Sequence, residues 1–205
     1  MGLSAWSHES YTRTAIVLHW LIALMVIGQL ALGWWMIDIP KSPPGVRAYW
    51  FNLHKSIGLT IAAFVLARVL WRMGHPAPVL PPELPAWQRF AAKVSHFALY
   101  ACLLILPVTG YLGSNFTKYP IVYFGTRLPH WGWDAPALKA LCSDIHYATV
   151  IVFMILIAVH VAAALKHLWV NRDGVFQRMW CWPSRAPGRS AAVPVRTQPA
   201  RAEAP

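Results

Sequence analysis

Four histidines, His19, His54, His146 and His160, stand inside stretches that are otherwise almost wholly apolar. Imidazole is costly in hydrocarbon unless it is hydrogen-bonded or bound to a metal. His146 and His160 lie fourteen positions apart in "HYATVIVFMILIAVH". At about 100° and 1.5 Å per residue, both project from one stripe of a helix, at levels about 21 Å apart. His54 opens the second apolar run as His146 opens the fourth, so these two rings reach equal depth. His160 and His19 likewise match in depth toward the opposite side, and so does His96 in the third run. Spacing alone does not choose between His19 and His96 as the partner of His160.

Two rings facing each other at each of two levels suit a particular metal chemistry. Zinc takes about four protein ligands, whereas the levels supply mainly pairs. A b-type haem brings four porphyrin nitrogens of its own and is itself apolar, so two axial imidazoles complete it. Iron held this way has no open position, and electron transfer is its natural chemistry. Gly58, one turn after His54, would clear a helix face for a porphyrin.

The elements that must position these rings are visible in the composition. The 205 residues are 57% hydrophobic and 12% charged, against about 25% charged in soluble domains. Apolar residues gather in four runs, about 14–37, 52–73, 90–113 and 145–170. Each is close to the ~20 residues that cross a bilayer, and none carries the polar stripe of a soluble helix. The expected fold is all-α: an integral membrane four-helix bundle over 1–182, followed by a disordered basic tail over 183–205. The first run, with His19 and Gln29 and no small-residue cleavage site after it, does not read as a cleavable signal peptide. Pro107 falls inside the third run and should kink it.

The net charge of +11 does not imply nucleic acid, because much of it lies after Asn171 and beside helix ends. That distribution is one of membrane topology, and it places both termini in the cytoplasm. Cys102, Cys142 and Cys181 have no metal-type spacing, and no C-x-x-C-H motif for covalent haem is present.

The segments "IVLHW", "NLHKSIG", "ARVLWRMGHPAP", "SHFALYACLLILPVTG" and "IHYATVIVFMILIAVHVAAALKHLW", in this order, resemble the bacterial cytochrome b561 family over about residues 10–175. The resemblance implies two haem b groups in the bacterial inner membrane. It assigns His19 and His160 to the cytoplasmic-side haem and His54 and His146 to the outer one, leaving His96 without a ligand role. Similar proteins pass electrons from an outer-face donor, in some cases superoxide, to ubiquinone; as an enzyme this would be a superoxide:ubiquinone oxidoreductase. Related subunits instead anchor hydrogenases or dehydrogenases, and the residues leave the two roles open. The expected partners are therefore the lipid bilayer, a quinone and a small anionic donor or redox protein. Arg68 and Arg72 are expected near haem propionates, since guanidinium binds carboxylate bidentately. His167, seven residues beyond His160 on the same face, is placed to meet a quinone carbonyl. Lys55 and Arg127 are outer-face cations that would attract an anionic donor.

Overall fold

The computed structural model describes residues 10–79 and 84–180. Four long helices dominate it: α1 (Arg13–Met36), α2 (Val46–Gly74), α3 (Ala86–Asn115) and α4 (Pro136–Lys166). All four are long and apolar enough to cross a membrane. The shortest, at 24 residues, spans about 36 Å, more than a hydrocarbon core of about 30 Å. Their outer faces expose large apolar side chains such as Leu24, Phe97 and Ile155, the surface that lipid requires. The protein is thus a four-helix membrane bundle. The basic tail anticipated over 183–205 lies outside the described residues.

α1 starts where Thr12 caps it, its hydroxyl accepting the Ala15 amide at 3.3 Å. The same hydroxyl accepts Trp71 Nε1–H at 2.9 Å, which ties the start of α1 to the end of α2. α2 begins at Val46 and α4 at Pro136, several residues before the apolar runs at 52 and 145. These extra turns carry Arg47, Lys139 and Asp144. They lie beyond the apolar runs, where a helix start follows local signals such as Pro136 in its first turn. α3 runs on through Pro107.

α1 packs on α2 and α3 on α4. Between the two pairs lies a core of Ile22, Val26, Ile61, Val65, Cys102 and Phe153. Phe153 stands seven residues from both His146 and His160 and is 3% exposed, so it fills the middle of the bundle between the two histidine levels. Cys102 and Cys142 are free thiols.

The third connection is more ordered than a plain loop. β1 (Val122–Tyr123) and β2 (Thr126–Arg127) form an antiparallel hairpin. Its two turn residues, Phe124 and Gly125, both have positive φ, as a two-residue turn of this hand requires. Ser56 of α2 anchors it, accepting the Phe124 amide at 3.0 Å. Tyr123 and Thr60 hydroxyls meet at 3.2 Å. This hairpin marks one end of the bundle, the hairpin end. The opposite end, where α4 runs into a π-helical turn (His167–Asn171) and the short α5 (Gln177–Trp180), is the tail end.

Candidate functional site

At the hairpin end, all four helices converge on one pair of rings. His54 of α2 faces His146 of α4, with centroids 6.4 Å apart and planes at 70°. His146 is held from α3: its Nδ1 lies 3.0 Å from the Leu106 carbonyl and 3.2 Å from the Thr109 hydroxyl. A carbonyl can only accept, so Nδ1 carries the proton and Nε2 keeps its lone pair. That is the ligand form of histidine, with its second nitrogen oriented by a backbone partner. Nδ1 of His54 is buried and has no hydrogen-bond partner among the described residues. Buried polar atoms are rarely left so.

The backbone makes room around these rings. A Cβ at Gly33 of α1 would stand 3.0 Å from His54 Cε1, and one at Gly110 of α3 would stand 3.5 Å from His146 Cε1. The glycines that border the rings are therefore Gly33 and Gly110. Gly58, expected to clear a porphyrin face, instead lies against Gln29, whose Nε2 is 3.1 Å from where its Cβ would be. That amide donates to the His54 carbonyl at 2.7 Å.

At the tail end, His19 of α1 faces His160 of α4 at 6.3 Å and 64°. His96 of α3 is also near His160, at 5.4 Å, but is exposed, whereas His19 and His160 are half-buried. Arg68 is buried. Its Nη1 donates to the Ala15 carbonyl at 2.5 Å, one turn before His19, and its Nε to the Tyr100 hydroxyl at 3.0 Å. Arg72 instead lies over the Tyr11 ring, 5.7 Å from its centre. His167 belongs to neither pair. It lies past the end of α4, with Nδ1 2.6 Å from Asp173 Oδ2.

These spacings can be tested against a bound metal. Two imidazoles joined to one ion at about 2.0 Å, each nitrogen about 1.1 Å from its ring centre, would hold their centres about 6.2 Å apart. Both the His54–His146 and the His19–His160 separations fit, and the His96–His160 separation is too short. Among the described residues, His, Cys, Asp and Glu form no group of three or more suited to a metal ion. A group that brings its own equatorial donors, as haem does, therefore fits these pairs, and the donor set is that of an electron-transfer haem.

Of His19, His54, His146, His160, Arg68 and His167, the fold brings the first five to the two levels and leaves His167 at the tail-end margin. Sequence reasoning missed Gly33, Gly110, Thr109, Tyr100 and Asp173. Only Asp173 carried a local signal, as the first residue of an Asp-Gly turn pair.

Comparison with known proteins identifies a family. The family model described as prokaryotic cytochrome b561 matches residues 10–182. "Cytochrome b561 homolog 2" of Escherichia coli is 33% identical, covering 83% of this chain and 91% of the relative. "Probable superoxide oxidase CybB" of Yersinia pestis is 26% identical, covering 84% and 96% respectively. "Cytochrome b561 homolog 1" of Escherichia coli is 27% identical, covering 82% and 96%. Four membrane-spanning helices, facing imidazoles inside them and a match across nearly the whole described chain lead to one assignment: the chain belongs to the prokaryotic cytochrome b561 family, membrane electron-transfer proteins that carry b-type haem.

Proposed function

We propose that this chain holds two b haems and carries electrons across the bacterial inner membrane, from an anionic outer-face donor such as superoxide to ubiquinone on the cytoplasmic side. His54 and His146 hold the haem at the hairpin end, and His19 and His160 hold the one at the tail end. The observation that carries the reading is the repeated spacing: two imidazole pairs at 6.3 and 6.4 Å, both using α4, fourteen residues apart on it.

When bound, haem supplies one-electron exchange at iron. Held by one imidazole from each of two helices, such a haem would exchange electrons without donor or acceptor binding the metal. The chain's own part is to hold and orient. Leu106 fixes the tautomer of His146, and Gly33 and Gly110 keep side chains away from the rings. Buried Arg68 offers positive charge beside His19, where a propionate would be neutralised. Lys55 and Arg127 stand at the hairpin end, where an anionic donor would be drawn in by charge. Arg13, Arg72, Arg89, Lys93, Lys166, Arg172 and Arg178 flank the tail end, and Arg185, Arg189, Arg196 and Arg201 follow in the tail. This excess supports cytoplasmic termini. Superoxide as the donor is also supported by the name of the Yersinia pestis relative, a probable superoxide oxidase.

A reduced-minus-oxidised spectrum with haem counted per chain tests the reading. Two haems are expected. His54→Ala or His146→Ala should remove one and keep the other, and His19→Ala or His160→Ala should remove the complementary one. His96→Ala should keep both. Loss of a haem from His96→Ala, with both retained in His19→Ala, would overturn the tail-end pairing.

A further inference from the structure

Past the last turn of α4 the chain builds a small polar device. The helix widens into the π-helical turn His167–Asn171. Arg172 then adopts the left-handed conformation, with φ 51°, and its amide donates to the His167 carbonyl at 2.9 Å. This reversal carries Asp173 back toward His167. Oδ1 of Asp173 accepts the Val175 amide at 3.1 Å. Oδ2 lies 2.6 Å from His167 Nδ1 and 3.4 Å from Asn171 Nδ2. The segment that follows is pinned to α1, with Trp20 Nε1–H donating to the Met179 carbonyl at 2.8 Å.

Burial alone would raise the Asp173 carboxyl, but the hydrogen bonds from His167, Val175 and Asn171 outweigh it and hold it below its ordinary value. It is therefore an anion that only accepts. His167 must donate through Nδ1, and Nε2 is left as the nitrogen free to take or give a proton. Both side chains are partly exposed, at 18% and 19%, so water can reach the pair.

We propose that Asp173 is a positioning residue for quinone protonation: it holds His167 with Nδ1–H toward itself and Nε2 as the atom that passes a proton to a quinone carbonyl oxygen. This rests on the quinone reading above. Reducing one quinone to quinol takes two electrons and two protons. The electrons would come one at a time from the b haem that His19 and His160 would hold, the haem being oxidised as the quinone is reduced. One proton comes by way of His167: Nε2 first takes a proton from water, whose hydroxide passes to the bulk, and the Asp173 carboxylate balances the imidazolium so formed; the new Nε2–H bond then breaks as an O–H bond forms on the quinone, which returns the ring to its neutral Nδ1–H form. The second proton comes from water directly.

The discriminating variant is Asp173→Asn. Its Oδ1 still accepts the Val175 amide, so the turn is kept. Its amide group now faces Nδ1 as a donor, which reverses the tautomer and moves the His167 proton to Nε2, the effect an amide has when it replaces such a carboxylate. Three measurements on the haem-loaded protein are needed: kcat and KM with a short-chain ubiquinone, the rate with ferricyanide, which takes electrons without protons, and the 15N shifts of the His167 ring in the reduced state. The inference expects kcat with quinone to fall by on the order of 100-fold, the scale of general acid–base catalysis, with KM and the ferricyanide rate unchanged and the ring in the reversed tautomer. Asp173→Glu should recover part of kcat. A variant with wild-type kcat overturns the inference alone, as does an equal loss with ferricyanide. A wild-type protein that passes no electrons to quinone overturns the quinone reading, and the inference with it.

Discussion

Gly33 offers a sharp test of the hairpin-end site, because the same exchange can be made harmlessly five residues earlier on the same helix. A Cβ at Gly33 would lie 3.0 Å from His54 Cε1, whereas at Gly28, on the same helix, it would meet nothing within 4 Å. Carbon atoms sit comfortably at about 3.5–4.0 Å, so Gly33→Ala must displace the His54 ring by about 0.5–1.0 Å or push α1 back by as much. Metal–ligand distances tolerate only about 0.2 Å. Both exchanges favour the helix by about 1 kcal/mol each, so neither variant should fail to fold. The assay is haem content per chain with a reduced-minus-oxidised spectrum. Gly33→Ala should lose or broaden the signal of one haem and leave the other unchanged, because the second histidine level lies about 21 Å away along α4. Gly28→Ala should match wild type. A Gly33→Ala protein with two haems and an unaltered spectrum would refute the argument, and so would haem loss from Gly28→Ala.

Phe153→Ala should weaken the bundle without removing either pigment. It empties about 100 Å³ between the two levels, worth about 2.4 kcal/mol at about 24 cal/mol per Å³, and it touches no proposed ligand. Titration of helix unfolding in mixed detergent micelles reads the loss. The turn after α4 should depend on acid: the Asp173 carboxyl is held below its ordinary 3.8, so its contribution is complete above that pH and is lost as pH falls through the lower folded value. Hydrogen exchange at the Val175 amide should accelerate over that acid window and not between pH 5 and 8.

The bundle was legible in the sequence because lipid leaves a helix little choice. A segment such as 145–170 must be apolar on every side, and that is visible without knowing its neighbours. The helix ends were less legible. Val46–Phe51 and Pro136–Asp144 lie beyond the apolar runs, where hydropathy no longer marks a helix. The hairpin was missed because strands of two residues are too short to display alternation. Its stability comes from Ser56 and Thr60, more than sixty positions earlier. The histidine levels were readable because depth follows from residue count. The choice between His19 and His96 was not, since depth says nothing of the direction in which a ring points. Glycines showed the same limit. Gly58 drew attention by its closeness to His54 in sequence, yet it faces Gln29. Gly33 and Gly110, the ones that border the rings, are distant from their histidines along the chain.

One feature of the fold bears on how such a protein is made. On the proposed ligation, α4 supplies one imidazole to each haem, and α1 and α2 supply the others. A ribosome delivers these spans in order. While only the first three are in the bilayer, His19 and His54 are single ligands with nothing opposite. The arrival of α4 presents both missing partners on one rigid stripe. Haem capture is therefore a late event in synthesis, and it joins α4 to α1 and α2, helices it otherwise meets less than it meets α3. A chain cut short before Pro136 would insert and pair α1 with α2, yet hold no pigment. Colour would then report that synthesis had reached its last span.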